Sequence, residues 1–460
     1  MKSAASSNPS VTAPFVDFVM AVRYENLPAE AIRMAKHVML DGLGVAIAGS
    51  DEASGVGRIA KRYVREIAAG SDATVITGGF KTSVTEAAFA NGTMMHALDF
   101  DNIWYPLNHP TSPTLPAILA VAEKRKHAGR KVIEAIVTAF EVQGRIRLAA
   151  TGWEIGRGFH KPGVTGTMGA TAGVGKLLGL NRQQMLMAFG IAGSRAGSLS
   201  INTGTMTKSS HSGQGARAGV ECATLAAMGF TASPDIFGKG GFFDALIGGE
   251  NHPEYLTEGF GAPYRMVSPG VGFKKYPSSI TTHHSIDAAL ALRAAHDFPS
   301  AAISEVEVVF PCWDHVDRPS PASGLDGKFS VQYTVAAALL DSDVTMASFT
   351  DARRFAVDME ALLPKIRMAY DASIPADTND MHVIVHVTLS DGRTFSHKTK
   401  ELAGWVGYPL SDEQRLKKFY GCVGTFLPRA DAERLVDLVE GLEQLEEISG
   451  IMAVVGGAGA

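Results

Sequence analysis

An amphipathic helix is predicted by residues 29–39, AEAIRMAKHVM. Small and apolar side chains recur there every three or four positions, which places them on one helical face. They stand at Ala29, Ile32, Ala35 and Met39. The spacing continues from Pro14 to about Leu246, where alanine, leucine and methionine are abundant and alternating patterns are scarce. We therefore expect a large helical domain whose first part covers residues 1–267.

A second pattern begins near Gly270. Residues 304–310, SEVEVVF, alternate polar and apolar side chains, as in a half-buried strand. Two β-rich runs within residues 382–399 flank Ser-Asp-Gly at 390–392, which predicts a hairpin. Helical patterns between these strands cover residues 281–295, 330–340 and 348–363, and a short strand is expected over 365–371.

These patterns predict a fold that is mostly α with a smaller α+β domain. Strands mixed with helices and closed by a hairpin indicate an α+β lid domain over residues 268–404. Helical signals return at Ser411-Asp412, so residues 405–460 are expected to form C-terminal helices that rejoin the helical domain. The lid domain would then be an insertion between two pieces of the larger one.

Composition excludes several kinds of protein. The 460 residues contain 42 Lys and Arg against 47 Asp and Glu, without a basic block, which disfavours a nucleic-acid partner. Three widely spaced cysteines fit a reducing compartment. The N-terminus lacks the apolar run of a secretory signal, and no apolar stretch approaches the roughly 20 residues of a membrane span. We therefore expect a cytoplasmic protein with no membrane partner.

The densest group of ionisable side chains lies between residues 96 and 109. His96, Asp99, Asp101 and His109 offer either acid–base pairs or metal ligands, because both chemistries use lone pairs that titrate near neutrality. One interpretation is a helical, metal-dependent phosphohydrolase that uses all four. A helix cap with ordinary polar neighbours is the alternative without chemistry.

Three further segments carry candidate residues. His160 stands on a Gly/Pro loop, where function is common but a solvated histidine is commoner. Lys208 and His211 lie three apart beside hydroxyls, which suits a carboxylate ligand or simply a helix start. Lys274 precedes His283 at the junction of the two patterns, which indicates either an interdomain cleft or a basic linker.

Taken in order, these segments resemble the MmgE/PrpD family, which includes 2-methylcitrate dehydratase, cis-aconitate decarboxylase and iminodisuccinate epimerase. The resemblance spans nearly the whole chain, and the ordered set is more specific than any single motif. It rests on HALDFDN (96–102), HPTSPTLPA (109–117), GFHKPGVTGTMGATAG (158–173), TKSSHSGQGARAGV (207–220), FKKYPSSITTHHSIDAA (273–289) and SVQY (330–333). The resemblance implies a homodimer and catalysis without a metal or organic cofactor.

The resemblance also implies one pocket in the cleft between the domains. It places there Asp99, His109, His160, Lys208, Lys274 and Tyr333. Lysines would fix the carboxylates of a small di- or tricarboxylate, with His211, Ser279 and His283 as further substrate-binding groups. A histidine, His160 or His109, would move the proton.

Two further roles follow from the same resemblance. Asp99 would orient an imidazole or, if burial raised its pKa, protonate a leaving hydroxyl. Tyr333 would reach the substrate from the lid domain and mark its closure.

The resemblance leaves the reaction open. Cis-aconitate decarboxylases carry Thr where this chain has Ile103 and His where it has Ser279, and His283 or His284 would have to replace the lost imidazole. The 2-methylcitrate dehydratases differ over residues 102–108. We expect a cofactor-independent lyase that dehydrates 2-methylcitrate or a similar hydroxy-polycarboxylate. Decarboxylase and epimerase variants, the phosphohydrolase and a catalytically silent scaffold are the alternatives.

Overall fold

A computed structural model describes residues 10–67, 70–151, 153, 158–248 and 250–458. Its α-helices are α1 (Thr12–Ala21), α2 (Ala29–Gly49), α3 (Val56–Ile67), α4 (Val84–His96), α5 (Leu115–Arg125), α6 (Gly129–Ala149), α7 (Lys161–Leu178), α8 (Arg182–Arg195), α9 (Met206–Ala227), α10 (His283–Ala295), α11 (Gly324–Gly327), α12 (Val331–Asp341), α13 (Asp351–Arg354), α14 (Val357–Leu362), α15 (Asp412–Val423), α16 (Arg429–Glu440) and α17 (Ser449–Gly457). Its strands are β1 (Ala73–Thr74), β2 (Lys81–Thr82), β3 (Ile103–Trp104), β4 (Val271–Gly272), β5 (Ile303–Phe310), β6 (Ile366–Tyr370), β7 (Val383–Leu389) and β8 (Thr394–Thr399).

Helices α4, α7 and α9 pack closely at the centre of the helical part. Glycine makes this possible, because a Cβ on Gly219 of α9 would lie 2.3 Å from Cβ of Ala170 on α7. A Cβ on Gly213 would lie 2.4 Å from the carbonyl oxygen of Phe89 on α4. The three helices therefore touch through their backbones, which holds the side chains at their ends in fixed positions.

A four-stranded sheet forms the other part of the molecule, in the order β6-β5-β7-β8. Strand β5 is parallel to β6 and antiparallel to β7, and the predicted hairpin joins β7 to β8 through Gly392 at φ +88°. The prediction of one helix over residues 348–363 is wrong. Thr350 caps α13 through its side chain, and Ala356 then adopts an extended conformation, so the segment forms two short helices. The mostly α class with a smaller α+β part is confirmed.

The buried apolar side chains fall into two main cores. The larger core holds residues between Phe15 and Phe273 and, from the C-terminal helices, residues between Phe419 and Ala458. The second core runs from Tyr276 to Leu389 and belongs to the sheet and its helices. The domain boundaries proposed at 267/268 and 404/405 stay a prediction.

A short ladder lies next to the seam at which the chain passes from the larger core into the second core. Strand β3 pairs antiparallel with β4, so that Ile103 lies opposite Gly272 and Trp104 opposite Val271. The chain that follows Asp99 is thereby tied to the chain that precedes Lys274. Among the described residues, no helix combines the length and apolarity needed to cross a membrane.

Candidate active site

A cavity of about 330 Å³ opens at this seam. Six of the residues selected from the sequence line it: Asp99, His109, His160, Lys208, Lys274 and Ser279. Three of them, His160, Lys208 and Lys274, come from the start of α7, the first turn of α9 and the segment after β4. Three parts of the fold thus deliver the predicted groups to one place.

Asp99 is the electrostatic centre of the cavity. Its backbone is left-handed, with φ +50°, a conformation that aspartate tolerates better than most residues. Lys208 Nζ lies 2.7 Å from Oδ1 and Lys274 Nζ lies 3.2 Å from Oδ2. Burial opposes ionisation, but these ammonium groups outweigh it and hold the pKa of Asp99 well below its usual range. The condition under which Asp99 would protonate a leaving hydroxyl, a pKa raised by burial, is therefore not met, and Asp99 is a poor proton donor.

The two lysines differ in how many N–H donors they have left for a ligand. Lys274 Nζ donates to the carbonyl oxygens of Asp99 (2.8 Å) and Ser278 (3.0 Å) as well as facing the Asp99 carboxylate, which accounts for its three donors. Lys208 Nζ donates to Asp99 and lies 5.0 Å from the ring centroid of Phe329. Lys208 therefore keeps donors for a ligand, whereas Lys274 acts through its charge and by positioning Asp99.

His160 and His211 form an imidazole pair at the cavity wall. His160 is the N-cap of α7, and its Nδ1 lies 3.1 Å from Nδ1 of His211 on α9. Burial and the Lys208 charge lower the pKa of His160 well below its usual value and that of His211 to about 4. Both rings are neutral near pH 7. If His160 Nδ1 donates to His211, its Nε2 carries a free lone pair.

His96, Asp101 and His109 form a second network beside this pair. Asp101 Oδ1 lies 2.9 Å from His96 Nδ1 and its Oδ2 lies 3.2 Å from His109 Nδ1, while Ser112 Oγ donates to Oδ2 at 2.6 Å. His109 Nε2 lies 3.5 Å from Asp99 Oδ1. Burial lowers the pKa of His96 to about 4, although Asp101 opposes the shift. Burial disfavours an ionised Asp101, but the two imidazoles hold its pKa well below the usual range.

The same residues meet one geometric condition for a metal. His96, Asp99, Asp101 and His109 each offer a ligand atom within 4.8 Å of the others. Their charge balance fits a divalent ion poorly, because the Asp99 carboxylate already faces two ammonium groups and the Asp101 carboxylate already contacts Ser112 and two imidazoles. A dication would have to displace or sit beside Lys208 and Lys274 at a Coulombic cost. The arrangement is better explained as a hydrogen-bonded acid–base network.

Three predicted site residues do not line the cavity: His211, which lies beside the cavity-lining His160, and Tyr333 and His283. Tyr333 is fully buried in the second core, and its hydroxyl donates to the carbonyl oxygen of Ser348. His283 is also fully buried, with its ring centroid 5.1 Å from that of Tyr276. The expectation that Tyr333 donates to a substrate is therefore wrong for this arrangement, and we give neither Tyr333 nor His283 a role in contacting substrate.

Several cavity residues escaped the sequence reasoning. Lys161, His315 and Arg318 line the cavity, and Lys161 follows His160 directly in the segment already singled out. Burial and the nearby Arg147 charge lower the pKa of Lys161 to about 7. Its place beside His160 was the available signal. No local pattern marked His315 or Arg318, because they reach the cavity only through the packing of the second part on the first.

The fold and this cavity define a class of enzyme: a helical scaffold with a smaller α+β part, whose cleft is lined by cationic side chains and a neutral imidazole. The chain belongs to the MmgE/PrpD family. The family's N-terminal domain matches residues 13–254, and its C-terminal domain matches residues 276–444.

Named relatives include enzymes with two different reactions. Cis-aconitate decarboxylase of Mus musculus is 31% identical over 452 residues, covering 96% of this chain and 92% of the relative. The Homo sapiens enzyme of that name is 30% identical, covering 97% and 95%. The 2-methylcitrate dehydratase of Cupriavidus necator is 28% identical, covering 88% and 86%. All three are lyases.

Proposed function

We propose that the protein is a lyase that acts on a di- or tricarboxylate by acid–base catalysis without a cofactor. The observation that carries this proposal is the pairing of Lys208, which has donors to spare, with the neutral His160 in one desolvated cavity. A carboxylate held by an ammonium group acidifies the adjacent C–H bond, and a neutral imidazole can take that proton.

Dehydration of 2-methylcitrate or a similar hydroxy-polycarboxylate is the reaction that this geometry favours. His160 Nε2 takes the proton beside the bound carboxylate, and the C–H electron pair becomes the new C=C bond. The C–O bond breaks as the leaving hydroxyl takes a proton and departs as water. Lys161 suits the donor role, because it lines the same cavity and its pKa of about 7 keeps part of it protonated at neutrality.

Decarboxylation of cis-aconitate is the second candidate. Two relatives named cis-aconitate decarboxylase are 31% and 30% identical to the chain. Two sequence differences from the decarboxylases were noted above. The difference at Ile103 does not argue against decarboxylation, because Ile103 does not line the cavity and is buried in a small core with Ile280, Leu402 and Trp405. The difference at Ser279 does argue against decarboxylation, because Ser279 lines the cavity and offers a hydroxyl where the decarboxylases have an imidazole.

The test is proton NMR in deuterated buffer with 2-methylcitrate, citrate, cis-aconitate and racemic iminodisuccinate in separate tubes. Loss of water from 2-methylcitrate or citrate supports the first candidate, and loss of carbon dioxide from cis-aconitate supports the second. Deuterium exchange without net change would assign an epimerase. His160→Gln serves as the inactive control. Turnover that survives this substitution would remove the base from the proposal.

A further inference from the structure

Besides its three lysines, the cavity is lined by an arginine, Arg318, that the proposed reaction does not use. We propose that Arg318 binds a second carboxylate of the substrate, so that the ligand bridges the helical part and the α+β part. This proposal rests on the proposed function, because it assumes a polycarboxylate substrate. It explains why a cavity that already contains Lys208 also places a guanidinium on its wall.

Arg318 is held in place through two of its three guanidinium nitrogens. Its Nη1 pairs with the carboxylate of Asp326, and its Nε donates to the carbonyl oxygen of His315 at 3.3 Å. Its backbone is fixed as well, because Ser330 Oγ donates to the Arg318 carbonyl oxygen at 2.7 Å. Among the described residues, Nη2 has no hydrogen-bond acceptor. A guanidinium fixed through two nitrogens, with the third free to donate, is preorganised for a carboxylate.

The position of Arg318 is set by contact between the two parts of the molecule. Gly204 has φ +95°, and a Cβ there would lie 2.8 Å from Arg318 Nη1 and 2.9 Å from Asp326 Oδ1. The loop that precedes α9 therefore packs directly on the Arg318–Asp326 pair. Ser200 and Thr203 of that loop also line the cavity. A ligand held by Arg318 would thus contact both parts.

The spacing of the cations suits a compact polycarboxylate. The ring of Phe329 lies beside both, with its centroid 5.0 Å from Lys208 Nζ and 5.5 Å from the Arg318 guanidinium carbon. The two cations are no further apart than the sum of these distances. Carboxylates separated by a few carbon–carbon bonds can therefore reach both groups.

Ligand-observed NMR titration with tricarballylate and butyrate tests the proposal without requiring turnover. Arg318→Gln is expected to weaken tricarballylate binding about tenfold or more while changing butyrate binding little, since a charge-assisted hydrogen bond is lost for one ligand only. Arg318→Lys should give a smaller loss, because lysine keeps the charge but not the planar fork. It also serves as the second variant if Arg318→Gln fails to fold.

Two controls make the result decisive. Asp326→Asn removes the partner of the guanidinium but keeps the guanidinium, so it should retain tricarballylate binding. Equal losses in Asp326→Asn and Arg318→Gln would overturn the proposal in favour of a purely structural pair. Arg367→Gln alters an exposed ion pair on β6 and should change nothing.

The failure of this proposal can be told from that of the proposed function. If the wild-type protein binds tricarballylate and loses it on Lys208→Met, but Arg318→Gln binds it normally, only the role of Arg318 is wrong. If the wild-type protein binds no carboxylate, both proposals are overturned.

Discussion

Replacing Lys208 with methionine tests whether Lys208 binds the substrate while Lys274 positions Asp99. Lys208 Nζ gives one donor to Asp99 and keeps two, so it can make one or two charge-assisted hydrogen bonds to a substrate carboxylate. At about 1.5–3 kcal/mol for a bond to a charged group, KM should rise roughly 10- to 100-fold. Asp99 retains Lys274 at 3.2 Å, so the free energy of unfolding should fall by less than the about 3–5 kcal/mol expected when a buried charge loses its only partner.

The assay combines steady-state kinetics on the accepted polycarboxylate with urea unfolding. Lys417→Met, an exposed lysine on α15, is the matched control and should leave KM unchanged. Lys274→Met should behave differently, because its donors are spent on Asp99 and Ser278: it should lower kcat and stability more than it raises KM. An unchanged KM in Lys208→Met, or a KM effect confined to Lys274→Met, would refute this assignment.

Three other results are expected. His160→Gln should lower kcat at least about 100-fold with little change in KM, because glutamine accepts no proton; single-turnover rates check this, and a normal rate would contradict it. Activity should fall as pH rises through about 7, where Lys161 loses its proton, and Lys161→Met should lower kcat and remove that limb of the pH–rate profile; a limb that stays in place would exclude Lys161. Lys418→Met should strand the buried Asp41 carboxylate, now 2.7 Å from Lys418 Nζ, and lower the free energy of unfolding by about 3–5 kcal/mol; adding Asp41→Asn should restore much of it in urea unfolding, and no recovery would refute the pairing.

Local sequence patterns predicted most elements that have local causes. Asn181 and Ser411 cap α8 and α15 through capping boxes, and the turn at 390–392 forms the hairpin, because each signal acts within a few residues. The single helix expected over 348–363 does not form, also for a local reason. The Thr350 side chain caps a new helix at Asp351, so no continuous helix runs through this position.

Only part of the site was predicted. The residues that were found came from the order of the family motifs along the chain, because the spacing within any one motif did not indicate which side chains meet. Asp99, His160 and Lys208 lie on different elements and meet only through the packing of α4, α7 and α9 and the β3–β4 ladder. Tyr333 was misplaced since a motif does not reveal the direction of a side chain. Arg318 was missed because the contact that brings it to the cavity joins residues more than one hundred positions apart.

The central claim is that the protein's own lysine and imidazole groups perform the chemistry. The most direct measurement is the rate of water loss from 2-methylcitrate, followed by proton NMR, on enzyme treated with a chelator and shown by elemental analysis to be free of metal. We expect the same rate before and after this treatment. Silence with each polycarboxylate, together with phosphoester hydrolysis that appears on adding a divalent metal, would contradict it and favour a metal centre at His96, Asp99, Asp101 and His109.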